Sequence, residues 1–365
     1  MLFAMSFFIK YVWGNLFPDV INKVYYRLST ANIKKPTFCE IRFILDTEIY
    51  RYGFEADYQK VHSEWLFVKP NQLHGTERKM FSREFDEYDI NSVNFKNAKG
   101  LKEKTKSDRL FLNIAFEFNQ PVAVSIMNWL EDFTPNPDID YDNLFELSCE
   151  LYSDPDIKKY AVDFLSQFNL GFENFDVNQA NQYNFEREEL IDSSDILSSD
   201  RNSSLDENSE IVTYHNVYDL DGNIVGVDKL DLGDDESLGT HKIFAFSSML
   251  ISKLINGGVL IVDELDASLH PLLTQKIIEL FHSPINDKNA QLIFSTHDTN
   301  LLSSEFFRRD QIWFTEKDEY GATDLYSLVE IKETRKDASF AKNYINGKYG
   351  AIPFIGDFYG LGQES

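Results

Sequence analysis

The stretch GGVLIVDELDASLHP, residues 257–271, runs the apolar residues VLIV (259–262) into adjacent carboxylates, Asp263 and Glu264. A short apolar run opened by glycines reads as a buried strand. Pro271 suits the first turn of a helix on which Leu273, Ile277 and Phe281 share one face. QLIFST (291–296) reads as a second apolar strand. Strand, helix and strand within about forty residues form a βαβ unit, whose strands are parallel. Asp263, Glu264 and His297 then leave the carboxyl ends of strands in one sheet, where open α/β sheets place their ligands. On its own an Asp-Glu pair more often just caps a helix. At a strand end it also suits metal–nucleotide chemistry, one carboxylate holding Mg²⁺ and the other polarising an attacking water.

Upstream the pattern changes twice. Residues 1–29 read as helix, with Leu2, Met5, Phe8 and Val12 at helical spacing. FCEIRFILD (38–46), EIYRYGFEAD (48–57) and VHSEWLFVK (61–69) are short, aromatic and β-branched, as expected of antiparallel strands. Residues 110–185 return to helical periodicity around Leu130, Leu144, Leu151, Phe164 and Phe168, and 211–227 read as a hairpin turning at Asp221-Gly222. These shifts divide the chain into an N-terminal lobe (1–135), a helical insertion (136–210) and a C-terminal lobe (211–365).

The 365 residues carry 35 Lys and Arg against 60 Asp and Glu, a formal charge of -25. That balance speaks against broad attraction to nucleic acid, which draws on clustered bases, but leaves room for a local basic surface. Residues 186–210 hold nine acids and two bases among serines and asparagines, the composition of a mobile insertion. No run approaches the roughly 18 apolar residues of a membrane span, so a cytoplasmic protein is expected. Cys39 and Cys149 form no disulfide framework and are expected to be buried, inert thiols. His215, His241 and His282 have no second ligand at zinc spacing and read as packing or surface histidines. Arg308 and Arg309 read as salt-bridging residues at a helix end.

LIVDELDASLHP resembles the Walker B strand and D-loop of ABC-type ATPases, and IFSTHD their switch-histidine strand, with His297 33 residues after Glu264. Together with ESLGTHKIF, QLIFSTHDTNLL, RRDQIWF, GATDLYSL and NGKYGAIPF, these motifs resemble bacterial AAA-type, ABC-ATPase-like proteins with SMC/RecF-like heads, related to the RloA and AbiL abortive-infection ATPases. The resemblance spans residues 236–354 and extends more weakly to 104–119 and the strands before it. It implies an α/β fold, an ABC-type, P-loop NTPase-like ATPase head with an antiparallel β lobe and a helical insertion. It implies that Asp263 supports Mg²⁺, that Glu264 is the catalytic base, and that His297 is the switch histidine, oriented by Asp298. It places Ala267, Ser268, Leu269 and His270 in the D-loop, His270 standing where many relatives carry aspartate, and makes Ser237 and Gly239 of ESLGT a signature-like motif. Ser237 by itself reads equally well as a helix N-cap.

One element of the pattern is missing: no GxxxxGK[ST] occurs within the 365 residues, and Gly14, Gly53, Gly75 and Gly100 lack a following GK[ST]. MLFAMSFF resembles the helix that follows the phosphate loop in that family, so the expectation is that the sequence starts just past it, through an upstream start codon, a truncated gene or a degenerate member. The resemblance implies ATP and Mg²⁺ as ligands, a homodimer or higher oligomer around nucleotide, and a companion nuclease-like effector in phage defence. The competing expectation is an inactive pseudo-ATPase acting as a scaffold. A nuclease with its own TOPRIM domain is disfavoured, because only 68 residues follow His297.

Overall fold

The computed structural model describes residues 2–14, 28–30, 32, 35–57, 59–72, 74–131, 133–136, 141–177, 211–332 and 339–352. The acidic stretch 186–210 lies outside the described residues. The chain divides into two units, residues 1–137 with 298–365, and residues 138–297.

The first unit is built on the aromatic strands. β1 (Thr37–Leu45), β2 (Glu48–Ala56), β3 (Val61–Pro70), β4 (Arg78–Glu84) and β5 (Glu87–Ile90) form an antiparallel meander in sequence order. Strand alternation makes one face apolar: Tyr50, Tyr52, Phe54 and Ala56 of β2 are all buried. Helix α1 (Leu2–Val12) lays Phe8 and Tyr11 on that face, with ring centroids 5.7 and 4.7 Å from Phe54. On the other face, a Cβ at Gly53 would lie 2.5 Å from the Trp65 ring and 2.7 Å from the Cys39 carbonyl, so only glycine fits there. Cys39 and Cys149 are half-buried rather than fully buried, and burial pushes the Cys39 thiol up to about 12.

Past β5 the chain forms a 3-10 helix (Lys99–Lys104), α2 (Phe111–Glu117), α3 (Pro121–Glu131) and the short strand β6 (Phe133–Asn136). The start of α2 is held by a charged side chain inside the core. Fully buried Glu64 accepts from the backbone N–H groups of Phe111 (2.6 Å) and Leu112 (2.9 Å) and from the Tyr52 hydroxyl (3.0 Å). The buried Arg83 guanidinium lies 3.9 Å from it and donates to the carbonyls of Phe85 and Arg109, each at 2.7 Å. A buried ion pair persists only when its remaining donors and acceptors are met in this way.

The C-terminal part of the first unit carries the hairpin β12 (Trp313–Lys317) and β13 (Thr323–Ser327) and the helix α8 (Phe340–Ile345). Ile312, Phe314, Leu328, Phe340 and Tyr349 form its own small core. Arg308 bridges Asp310 at 2.9 Å, while Arg309 donates instead to the carbonyls of Leu328, Val329 and Ile331.

The second unit is organised around one long apolar helix, α6 (Leu238–Asn256), following α4 (Tyr141–Tyr152), α5 (Pro155–Ser166) and the antiparallel sheet of β7 (Asn174–Val177), β8 (Ile211–Tyr218) and β9 (Ile224–Asp231). Ile243, Phe244, Ala245, Phe246, Leu250 and Leu254 of α6 are buried around its circumference, as in a helix surrounded by protein. Its serines are satisfied by α4: Ser148 donates to Ser248 Oγ at 2.7 Å, and Tyr152 lies 2.5 Å from Ser247 Oγ. The βαβ reading holds. β10 (Val259–Val262) pairs in parallel with β11 (Gln291–Phe294), joined by α7 (Pro271–His282), and the register sets Val262 opposite Phe294.

Candidate functional site

All four residues of β10 are buried, and the chain turns polar at the first position beyond it. The ladder continues one rung past both strands. Ser295 N donates to the Val262 carbonyl and Leu265 N to the Ser295 carbonyl, both at 3.1 Å. This brings the Ser295 hydroxyl onto the carboxylate pair, where it donates to Asp263 Oδ1 and accepts from the Glu264 N–H at 2.8 Å. One side chain thus fixes both acidic residues. Glu264 takes a left-handed backbone, φ 48°, a conformation that costs a non-glycine residue on the order of 1–3 kcal/mol and persists where its surroundings impose it. The anchors here are the Ser295 bond and the fully buried side chain of Leu265.

His297 Nε2 stands 3.7 Å from Glu264 Oε1, with the two side chains 87% and 60% exposed. Such a pair contributes little to stability in water, and both groups remain open to a ligand. Glu264 thus presents a carboxylate oxygen to the His297 ring. Asp298 accepts from Asn300 N at 2.9 Å and caps the short turn Thr299–Leu301.

The start of α6 and the loop between β10 and α7 meet beside each other within the same unit. Ser237 is the N-cap of α6, its hydroxyl accepting from Thr240 N at 3.1 Å. The position of a Cβ on Gly239 would be 3.6 Å from both the Ser237 hydroxyl and the Ser268 carbonyl, so this glycine lies against the loop that leads from β10 to α7. Ser268 is also left-handed, φ 60°. Lys242, one turn into α6 and 5% exposed, donates to the Ala267 carbonyl. Burial lowers the Lys242 pKa, opposed by the charges of Asp266 and Glu264. His270 is the N-cap of α7, its Nδ1 accepting from Leu272 N at 3.2 Å.

The donor set suits a metal that arrives with a nucleotide better than a resident one. Among the described residues no group of three or more His, Cys, Asp or Glu could hold a metal ion. Mg²⁺ bound with phosphate oxygens and water needs only one or two carboxylates, which Asp263 and Glu264 offer at an accessible strand end. The structure thus sets Asp263, Glu264, Ser295 and His297 around two adjacent strand ends, and Ser237, Gly239, Lys242 and Ser268 around the loop that follows.

Sequence reasoning missed Ser295 and Lys242. Ser295 stands only two residues before His297, in the run STHD, and a hydroxyl at a strand end facing an aspartate was the available signal. A lysine followed by the apolar run IFAF was the signal for Lys242. His215, read as a packing residue, pairs with Glu236 at 2.8 Å immediately before Ser237, and Thr213 donates to the same carboxylate at 3.1 Å.

A family model described as "AAA domain, putative AbiEii toxin, Type IV TA system" matches residues 15–303. No curated protein matches the chain. The match covers well over half of the sequence, and the chain belongs to that family of AAA/ABC-like ATPases, whose domain is a P-loop NTPase-like α/β fold. Among the described residues no helix is long and apolar enough to cross a membrane.

Proposed function

We propose that this member of the AAA-domain family is an ABC-type ATPase head that binds and hydrolyses MgATP and uses the nucleotide to dimerise. The observation that carries this reading is the exposed trio of Asp263, Glu264 and His297 at the ends of two parallel strands, with ESLGT packed against the D-loop in the same unit. Asp263 would hold Mg²⁺, which neutralises charge on the phosphate oxygens when bound. Glu264, held in place through its own N–H by Ser295, accepts a proton from the attacking water. His297, within reach of that carboxylate, donates a hydrogen bond to the terminal phosphate. Ser237, Gly239, Ser268 and His270 present small side chains, backbone groups and an imidazole to the nucleotide held by a second copy, as the resembled ATPases do.

The high exposure of Glu264 and His297 supports this arrangement, because hydrolysis of a phosphoryl group is favoured where bulk solvent is excluded and the attacking water alone retained, and a second copy would cover them. A cytoplasmic role in phage defence beside a nuclease-like effector, and kinship with RloA and AbiL, are supported by the motif resemblance and by the toxin and Type IV TA system named in the family description. A scaffold reading is favoured by one observation, the lack of GxxxxGK[ST] within the 365 residues. A phosphate loop supplies most of the donors to a bound nucleotide.

Titration calorimetry with MgATP separates the two readings. Residues 1–365 should bind weakly, and protein extended upstream to carry a GxxGxGKS loop should bind strongly. Tight binding by residues 1–365 would contradict the need for that loop. No binding by the extended form would leave the scaffold.

A further inference from the structure

We propose that residues 91–106 of the first unit form a sequence-independent binding surface for the phosphate backbone of a nucleic acid. The stretch NSVNFKNAKGLKEKTK holds five lysines, Lys96, Lys99, Lys102, Lys104 and Lys106, and one acid, Glu103, in a chain of net charge -25. All five lysines are exposed. Their orientation follows from apolar residues three apart: Phe95, Ala98 and Leu101 are buried, Phe95 packing on Phe81 at 5.3 Å and on Phe111 at 6.2 Å. With that side turned inward, Lys96, Lys99 and Lys102 lie off the buried row, and Lys104, which follows Leu101 along it, is exposed at its end. In the 3-10 helix Lys99–Lys104, residues three apart eclipse at a rise of about 6 Å, so Lys99 and Lys102 form a row. Gly100 lies between them, and a Cβ there would meet nothing within 4 Å, leaving open space beside the row.

This charge is not consumed inside the protein. Among the described residues Lys96, Lys99 and Lys106 have no ion-pair partner, and Lys102 lies 3.6 Å from a Glu103 that is itself 64% exposed. Lys104 stands 3.9 Å over the ring of Phe118, itself 48% exposed, which holds the ammonium at the surface. A row of exposed ammonium groups fits a polymer of repeated phosphates, which gains by releasing condensed counterions. The chemistry favours backbone over base contacts. Lysines are point charges, whereas Arg109, whose planar fork could read a base edge, is committed to Glu117 at 2.6 Å and to Asn113.

The test is fluorescence anisotropy of a short mixed-sequence oligonucleotide, as single strand and as duplex, with the 365-residue protein. If most of the five lysines engage phosphates, the logarithm of duplex affinity should fall with that of salt at a slope of about −3 to −4.5 between about 50 and 200 mM. The triple substitution Lys99→Glu, Lys102→Glu, Lys104→Glu should weaken binding at least tenfold and flatten the slope by about 3. Lys276→Glu with Lys288→Glu, a partly exposed and an exposed lysine of the second unit, should leave both unchanged. The altered sites are exposed, so a melting curve that overlays the parent certifies the triple variant as folded. Absence of binding at low salt, or binding that the triple substitution leaves intact, overturns the proposal. So does lysine-dependent binding to phosphatidylserine vesicles without binding to either oligonucleotide, which would assign the surface to a membrane.

Discussion

Glu64 faces Arg83 at 3.9 Å and Glu264 faces His297 at 3.7 Å, yet the first pair is fully buried and the second largely exposed. Nearly equal separations carry opposite meanings. Inside the first unit the carboxylate accepts from β2 and the start of α2, faces the Arg83 charge of β4, and is closed by full burial to anything arriving from outside. Such a group organises structure. In the second unit a single hydroxyl positions Asp263 and Glu264, and the rest of their coordinating capacity faces solvent. A carboxylate held in place but left unsatisfied is what a ligand site requires, and its accessibility distinguishes it more clearly than its distance to a base.

The contrast is broken most directly by truncating both acids. Glu64→Ala strips the N–H groups of Phe111 and Leu112 and the Arg83 charge of their partner in the core, and should destabilise the protein by about 3–5 kcal/mol. Glu264→Ala, at an exposed position, should change stability by no more than about 0.5 kcal/mol. Urea denaturation of the two variants checks this, and equal losses would remove the distinction.

Lys242 sharpens the comparison, since it is a buried charge in the unit that holds the open site. Lys242→Met leaves the Ala267 carbonyl without its ammonium donor and should cost about 1–3 kcal/mol. Faster amide exchange should appear over residues 264–270, with the middle of α6 unaffected. Uniformly faster exchange would show that the lysine supports the whole unit rather than the loop.

A smaller effect separates capping from ligand binding at Ser237. As an N-cap, Ser237→Ala should cost about 1 kcal/mol and Ser237→Gly a few tenths. If Ser237 also meets nucleotide on a second copy, both variants should lose ATP-dependent dimerisation regardless of that difference. Sedimentation with and without ATP reads the second effect, and dimerisation that survives in Ser237→Gly assigns the hydroxyl to the cap alone.

Much of this arrangement was legible in the residues, for reasons that also explain what was not. The strands from 37 to 70 announced themselves by alternating aromatics, and β10 and β11 by apolar runs that end at polar residues. Asp263, Glu264 and His297 stand at those ends because the parallel register puts Val262 opposite Phe294. The Asp221-Gly222 turn lies between β8 and β9, where Asp-Gly chemistry places it. The four-residue strand β7 escaped because NFDV is too short to show a period and lies in a stretch of helical pattern. Ser295 and Lys242 escaped for another reason. Their partners, Asp263 and the Ala267 carbonyl, are 32 and 25 residues away, and only the fold brings them together. The sealed Glu64 network joins residues 47 and 48 positions apart and is invisible to any local pattern.

ATP turnover by Glu264→Gln, measured in protein extended upstream to carry a phosphate loop, tests the reading of the open pair most directly. Glutamine keeps the shape and a hydrogen-bonding group but removes the base, so hydrolysis should fall by a factor on the order of 10² or more while MgATP binding survives and dimer accumulates with ATP. Turnover at the unmutated rate would contradict the placement of Glu264 over the attacking water.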